Sequence, residues 1–507
     1  MKKIIDLNNI STILKKYKKN NDKIVLCHGV FDLLHVGHIK HLKKAKELGD
    51  KLIVTITADK YVNKGPGKPV FNQELRAEAL SSIECVDHVA INFNPTAIKP
   101  LSIIKPDIYC KGKDYKNHQD DLTGEIKNEL SVLKKNKGKI FYTHELTFSS
   151  SRTLNTATNF YSDKHKKVIK DILRKTSFKE IKILFNKIKK IKILVIGETI
   201  LDEYIFCEAI GKSGKEPILV LKELEKHIYL GGILSIANNL AQFSDNVSVI
   251  SMLGDKRPYR NFIKKNLSPK IKTNFISKKN SPTIIKRRFI DSISNSKLLG
   301  VYDINDDILT PEDLKKFNTS IKKNISKYDL VVVSDYGHGL ISKETAKIIC
   351  KKSKFLALNA QINAFNIGYH TMKNYQNFNT LIINEKEIRH ELRDKTGELN
   401  KLIKKLSIDR KVENLIVTKG SSGSTLYNKK LNKFFNSEAY AKKVIDKIGA
   451  GDTMLAIISL CLKLKFDFNL SLLISSLAAA QSVASLANKE TLNDIQMLKT
   501  LENILKQ

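Results

Sequence analysis

Tryptophan is absent from this chain, and cysteine, methionine and proline are scarce: 6, 5 and 10 residues among 507. The cysteines form no C-x-x-C pair, which argues against a zinc ribbon or a disulfide framework. It favours a reducing compartment, with the cytoplasm as the expected address. Long apolar runs are missing too. The least polar stretch, "SLLISSLAAAQSVASLAN", carries Ser and Gln and reads as a buried helix, so no membrane partner is expected. The start "MKKIIDLNNISTILKKYKKN" lacks the apolar core and cleavage site of a secretory signal. Acidic residues are outnumbered, 52 Asp and Glu against 88 Lys and Arg, a formal charge of +36. The lysines are spread along the whole chain instead of forming a patch interleaved with aromatics. No specific nucleic-acid partner is expected, and nucleic-acid binding is a reading that rests on charge alone; the field suits polyanionic small substrates better.

What is present is an α/β pattern written twice. The length calls for two or three domains, and 42% hydrophobic residues are ample for their cores. From Lys23 to about Lys139, "KIVLCHG", "KLIVTIT", "DHVAIN", "PDIYCKG" and "KIFYTH" read as strands. Between the first two, "IKHLKKAKELG" carries apolar residues at helical steps, with Gly49 as its stop. Such alternation predicts a parallel, doubly wound sheet with ligands at the carboxyl ends of its strands. Residues 156–190 are helical and basic and read as a linker. "IKILVIGETILDEY" then opens a second α/β region containing "DLVVVSDYG", "KFLALNA", "TLIINEKE" and "NLIVTKG". The expected domains are 1–155 and 191–507.

In "CHGVFDLLHVGH", residues 27–38, a strand gives way to a helix starting near Gly37. His35 and His38 would flank that helix N-terminus, where backbone N–H groups and the helix dipole favour anions. Imidazoles there could donate to phosphate oxygens as charge builds at phosphorus. Surface or capping histidines would look the same in sequence. With "ELRAEALSSIECVDHV", "KPDIYCKGKDY" and "TFSSSRTLN", this stretch strongly resembles the cytidylyltransferase-like nucleotidyltransferases over about 155 residues. The resemblance implies a Rossmann-like domain that moves a nucleoside monophosphate from ATP or CTP to a phosphorylated substrate, with Mg2+ assisting. It assigns nucleotide or phosphate contacts to Phe31, His35, His38, Arg76, Lys111, Asp114, Ser149, Ser150 and Ser151.

"VIDKIGAGDTMLAIISLCL", residues 444–462, is a glycine loop entering an apolar helix. Gly449, Ala450 and Gly451 offer open N–H groups, and Asp452 beside them could take a proton from an attacking hydroxyl. An acidic first-turn residue after a glycine turn is the plainer alternative. The surrounding segments resemble the ribokinase-like (PfkB) carbohydrate kinases over residues 190 to 507, which implies a ribokinase-like α/β domain using ATP. Carried over by position, Asp452 is the catalytic base and Asp202, Gly231, Gly232 and Ser235 surround the sugar. Thr418, Lys419 and Gly420, with Gly449 to Gly451, hold nucleotide, while Asn384 and Glu387 serve the Mg2+ network indirectly. The chain departs from the family at Ser235, where Asn is usual, at Lys447, where Thr is usual, and at Asn359, where many relatives are acidic.

Together the halves resemble the bifunctional heptose kinase/adenylyltransferases of ADP-heptose synthesis, with the domain order reversed. The expectation is a sugar kinase plus a sugar-phosphate nucleotidyltransferase making a nucleotide-activated sugar for lipopolysaccharide or another surface glycan. The alternative keeps the transferase and treats the kinase-like half as a sugar-binding or dimerising module. Ribokinase-like enzymes often dimerise, which leaves a homodimer as an open expectation.

Overall fold

The structure is a computed structural model and describes residues 3–112, 125–143, 161–363, 366–486 and 492–505. Asp114, Ser149, Ser150 and Ser151 lie outside the described residues. The chain divides into two compact units, Met1–Lys166 with Leu498–Gln507, and Lys167–Met497.

The first unit is built on six strands: β1 (Ile4–Ile5), β2 (Ile24–Gly29), β3 (Lys51–Thr57), β4 (His88–Asn92), β5 (Ile108–Gly112) and β6 (Lys139–Thr143). Their order is β1-β4-β3-β2-β5-β6, with every pairing parallel. Central strands covered on both faces should be apolar throughout, and Leu52, Ile53, Val54 and Ile56 of β3 are fully buried. From β2 the chain winds to one side through β3 and β4, then returns to place β5 on the other. That reversal makes the carboxyl end of β2 a switch point, where crevices open in such sheets. The helix after β2 spans Val36–Lys46 and ends three residues before Gly49. Gly49 is not a left-handed helix stop. A Cβ there would press on the Lys23 carbonyl at 2.7 Å, and that carbonyl accepts from the N–H groups of Asp50 and Lys51.

In the second unit the strands are β7 (Lys192–Gly197), β8 (Thr199–Lys212), β9 (Leu219–Gly231), β10 (Asn246–Gly254), β11 (Lys272–Lys278), β12 (Ile284–Asp291), β13 (Lys297–Asp303), β14 (Leu330–Asp335), β15 (Leu356–Ala360), β16 (Phe378–Asn384), β17 (Val412–Thr418), β18 (Ser424–Asn428) and β19 (Lys433–Ser437). Nine of them form one sheet, β11-β10-β7-β14-β15-β16-β17-β18-β19, parallel until the antiparallel pairings of β18. The switch point falls at β7, between β10 and β14. The other four make a second sheet, β13-β12-β8-β9. The apolar stretch near the C-terminus is a helix, Phe468–Ser482, buried through most of its length. Among the described residues no helix is long and apolar enough to cross a membrane.

Candidate active sites

In the first unit the sequence-selected histidines meet at the switch point. His35 is the N-cap of the Val36–Lys46 helix, its Nδ1 accepting from the Gly37 N–H at 3.1 Å. Its ring stacks on His38 with centroids 3.9 Å apart, and Phe31 meets His38 edge-on at 5.4 Å. Phe31 holds a left-handed backbone, φ +49°, which turns the chain from strand to helix. Burial lowers both imidazoles. His38 is pushed down to about 3, helped by the charges of His35, Lys64 and His41, and Lys64 adds to the lowering of His35. Both rings are therefore neutral at neutral pH.

Arg76 does not reach into this crevice. Its side chain is fully buried, with Nε on Phe71 O at 3.0 Å, Nη1 on Val30 O at 2.5 Å, and Nη2 on Thr57 O at 2.8 Å and Asp59 Oδ1 at 2.5 Å. Four of the five guanidinium N–H groups thus tie the loop after β2 to the next crossover. Lys111 likewise pairs with buried Glu129 at 2.7 Å, which also accepts from Tyr109 and Ala97. Both cations expected at phosphate instead hold the walls.

The second unit assembles its residues at the carboxyl ends of β7, β14, β15 and β16. Asp202 on β8 is buried and accepts from Arg288 Nη1 at 2.6 Å. Gly231 must lack a side chain, because a Cβ would collide with the Asp202 carboxylate. Gly232, at φ +54°, starts the helix Gly232–Ala241 tight against Glu198 O. Ser235 is buried in that helix. One turn on, Asn239 donates to Thr453 Oγ1 at 3.2 Å and ties this helix to the one carrying Asp452.

Gly449, φ +83°, is the N-cap of the helix Ala450–Lys463 and puts Asp452 in its first turn. Oδ1 of Asp452 accepts from Tyr336 OH at 3.0 Å and from Gln361 Nε2 at 3.4 Å; no described residue bonds Oδ2. Burial, reinforced by the charge of Asp202, pushes Asp452 up to about 7, while the Tyr336 hydroxyl and Lys286 pull it back. The loop before it is fixed by Asp446, which accepts from Tyr204 OH on β8 and Lys297 Nζ on β13, both at 2.7 Å. Lys447 beside it is exposed.

Asn384 and Glu387 form a reciprocal cap on the helix Glu385–Leu392: Glu387 N–H donates to Asn384 Oδ1 at 2.9 Å, and Asn384 N–H to Glu387 Oε2 at 2.7 Å. Burial, with the charge of Asp452, pushes Glu387 up to about 7. Thr418 ends β17, and Lys419 and Gly420 turn the chain there, with open space at Gly420. Asn359 is buried between β14 and β16, donating to Ile382 O at 2.8 Å. His338, in "SDYGHG", is fully buried.

Three groups here escaped the sequence reading. On β12, Arg288 pairs with the Asp202 carboxylate, and Lys286 lies near those of Asp202 and Asp452, between the rings of Tyr302 and Tyr336 at 5.7 and 5.6 Å. Burial lowers Lys286, and Asp202 counters it. Tyr336 is the third.

The second unit thus joins a large, mostly parallel sheet, a four-stranded one and an aspartate in the first turn of a glycine-capped helix. The chain belongs to the pfkB family of carbohydrate kinases, whose family model matches residues 190–493. The cytidylyltransferase-like model matches residues 26–156, ahead of it in the chain. "Bifunctional protein HldE" of Campylobacter jejuni is 29% identical over 317 residues, covering 62% of this chain and 66% of that protein. The protein of the same name from a Nitratiruptor species is 41% identical over 138 residues, 27% of this chain and 30% of that one. The chain thus spans less than two thirds of either relative. Phosphofructokinase-2 from Escherichia coli, solved with potassium, shares the fold at a TM-score of 0.51 and 13% identity, over 62% of this chain and 99% of that one. Both matched families act on nucleotides.

Proposed function

We propose that this chain is a bifunctional enzyme making a nucleotide-activated sugar of the ADP-heptose kind for a surface glycan. Residues 191–507 phosphorylate the sugar, and residues 1–155 transfer a nucleotide to a sugar phosphate. The observation that carries the reading is Asp452, set beside the Gly449–Gly451 amides with one carboxylate oxygen held by Tyr336 and Gln361. In the kinase step Asp202 accepts from the sugar hydroxyls, and Oδ2 of Asp452 takes the proton of the attacking one. The amides at the helix start stabilise the charge on the γ-phosphoryl of ATP. Lys286 and Arg288 suit a sugar already carrying an anionic group, so a sugar phosphate is the favoured acceptor. Glu387, a buried carboxylate pushed up to about 7 and without a cation partner among the described residues, fits an indirect Mg2+ role with Asn384 supporting it. When bound, Mg2+ neutralises phosphate charge. In the transferase step His35 and His38 donate to the triphosphate of ATP or CTP as pyrophosphate leaves.

The test is incubation with ATP or CTP, Mg2+ and a panel of sugars and sugar phosphates, with ADP and pyrophosphate read separately. Asp452→Asn should abolish sugar-dependent ADP release and His35→Ala pyrophosphate release, each alone. If wild type releases no ADP with any sugar, the kinase half is a binding module; if His35→Ala leaves pyrophosphate release intact, the first site is misassigned.

A further inference from the structure

Cys27 on β2 and Cys110 on β5 are direct partners in the parallel register. In-register neighbours present their side chains on the same face of a sheet, and both thiols are buried, 0% and 1% exposed. His41, on the helix Val36–Lys46, contributes a ring nitrogen to this cluster, and the three ligand atoms all lie within 4.8 Å of one another. The other end of the arrangement is also built. His41 Nδ1 lies 2.8 Å from Thr143 Oγ1, and that hydroxyl donates to Lys111 O at 3.4 Å. In the tautomer where Nδ1 donates to that hydroxyl, Nε2 is the nitrogen with a lone pair to give. Two thiols and an imidazole oriented through its far nitrogen are the ligand set of a borderline-soft cation, and the partner on that far nitrogen is what such sites use to fix the ring.

We propose that Cys27, His41 and Cys110 bind one Zn2+ ion, a structural site separate from both transfer sites. Sulfur and nitrogen ligands at about 2.3 and 2.1 Å from zinc lie roughly 3.5–3.8 Å apart in a tetrahedron, so the cluster closes by about 1 Å. The thiol protons pass to solvent as the metal–sulfur bonds form, a small solvent-derived ligand completes the four, and no oxidation state changes. The ion clips the helix bearing His35 and His38 to β2 and β5. The ligands stand at positions 27, 41 and 110, so no short spacing motif betrays them.

The test uses the full chain, reduced and stripped of metal, titrated with Co2+ as a spectroscopic probe. The expected result is one equivalent bound, with thiolate-to-cobalt charge-transfer absorption that one equivalent of Zn2+ bleaches. Cys110→Val and His41→Phe should lose that absorption, and Cys85→Ser should keep it. Absence of the charge-transfer band in wild type overturns the proposal, as does a band that survives Cys110→Val. Should the variants fail to fold, zinc-edge X-ray absorption on the wild type decides: two sulfurs and one nitrogen support the site, and a shell of oxygen and nitrogen alone refutes it.

Discussion

Two helix N-termini face the crevices of this molecule, and they are furnished with opposite chemistry. At the start of Val36–Lys46 the groups are neutral imidazoles beside Lys64, with Arg76 and Lys111 locked into the walls by Asp59 and Glu129. Near the start of Ala450–Lys463 stand carboxylates, Asp202, Asp452 and Glu387, with Lys286 and Arg288 facing them from β12. The two proposed reactions make different demands on the same kind of backbone nest. Displacement at the α-phosphorus by an already ionised phosphate needs charge stabilisation and no base. Attack by a sugar hydroxyl needs a group that removes a proton.

The sharpest way to break this contrast is Asp452→Asn, which should lower the kinase rate by about 10²–10⁴ and leave pyrophosphate release unchanged. Equal losses in both reactions would show that the halves do not work independently. Next comes Arg76→Met. Removing the guanidinium leaves the Phe71, Val30 and Thr57 carbonyls without their donor and should destabilise the first unit by roughly 1–3 kcal/mol, read as a lowered unfolding transition. Were Arg76 a phosphate ligand instead, stability would hold and only the KM for the nucleotide would rise. His38→Ala should slow pyrophosphate release by about 10²–10³. Since His38 is pushed down to about 3, its titration should put no limb in the wild-type transferase rate near neutrality. Lys286→Met should raise the KM for a phosphorylated acceptor by about tenfold or more, the worth of a hydrogen bond to a charged group, with less effect on an uncharged sugar.

How far sequence reaches differs between the two sites for a physical reason. The main-sheet strands are apolar runs covered on both faces, so "KLIVTIT" marks β3 residue for residue. The sheet of β8, β9, β12 and β13 is half exposed. β9 reads "LVLKELEKHIYLG" with charged residues throughout, and no buried run announces it. Lys286 and Arg288 sit on that sheet and were missed with it, although the period-two pattern Ile284, Lys286, Arg288, Ile290 is the signal that would have found them. Arg76 shows the opposite limit. Its motif was legible, but which carbonyls a guanidinium binds depends on a crossover that brings Val30, Thr57 and Phe71 together. Asn384 and Glu387 were legible as a pair, whereas their mutual cap appears only once the helix is seen.

Tyr336 supplies the finest test of the comparison, because it acts on the base through one hydrogen bond. Asp452 must be ionised to accept a proton, so the kinase rate should fall as pH drops through about 7. The Tyr336 hydroxyl donates to Oδ1 and stabilises the ionised form, opposing burial and Asp202. Burial and that same carboxylate hold the phenol well above its usual range, so it remains a donor throughout. Tyr336→Phe therefore removes a stabiliser of the carboxylate and moves the acid limb to higher pH. A net hydrogen bond of about 0.5–1.5 kcal/mol corresponds to roughly half to one pH unit. The rate on the alkaline plateau, where Asp452 is ionised in either protein, should change little. A limb that stays in place while the plateau falls would mean that the hydroxyl only packs the site. Transferase activity, carried by the unit to which Tyr336 does not belong, should keep its pH profile in the same variant.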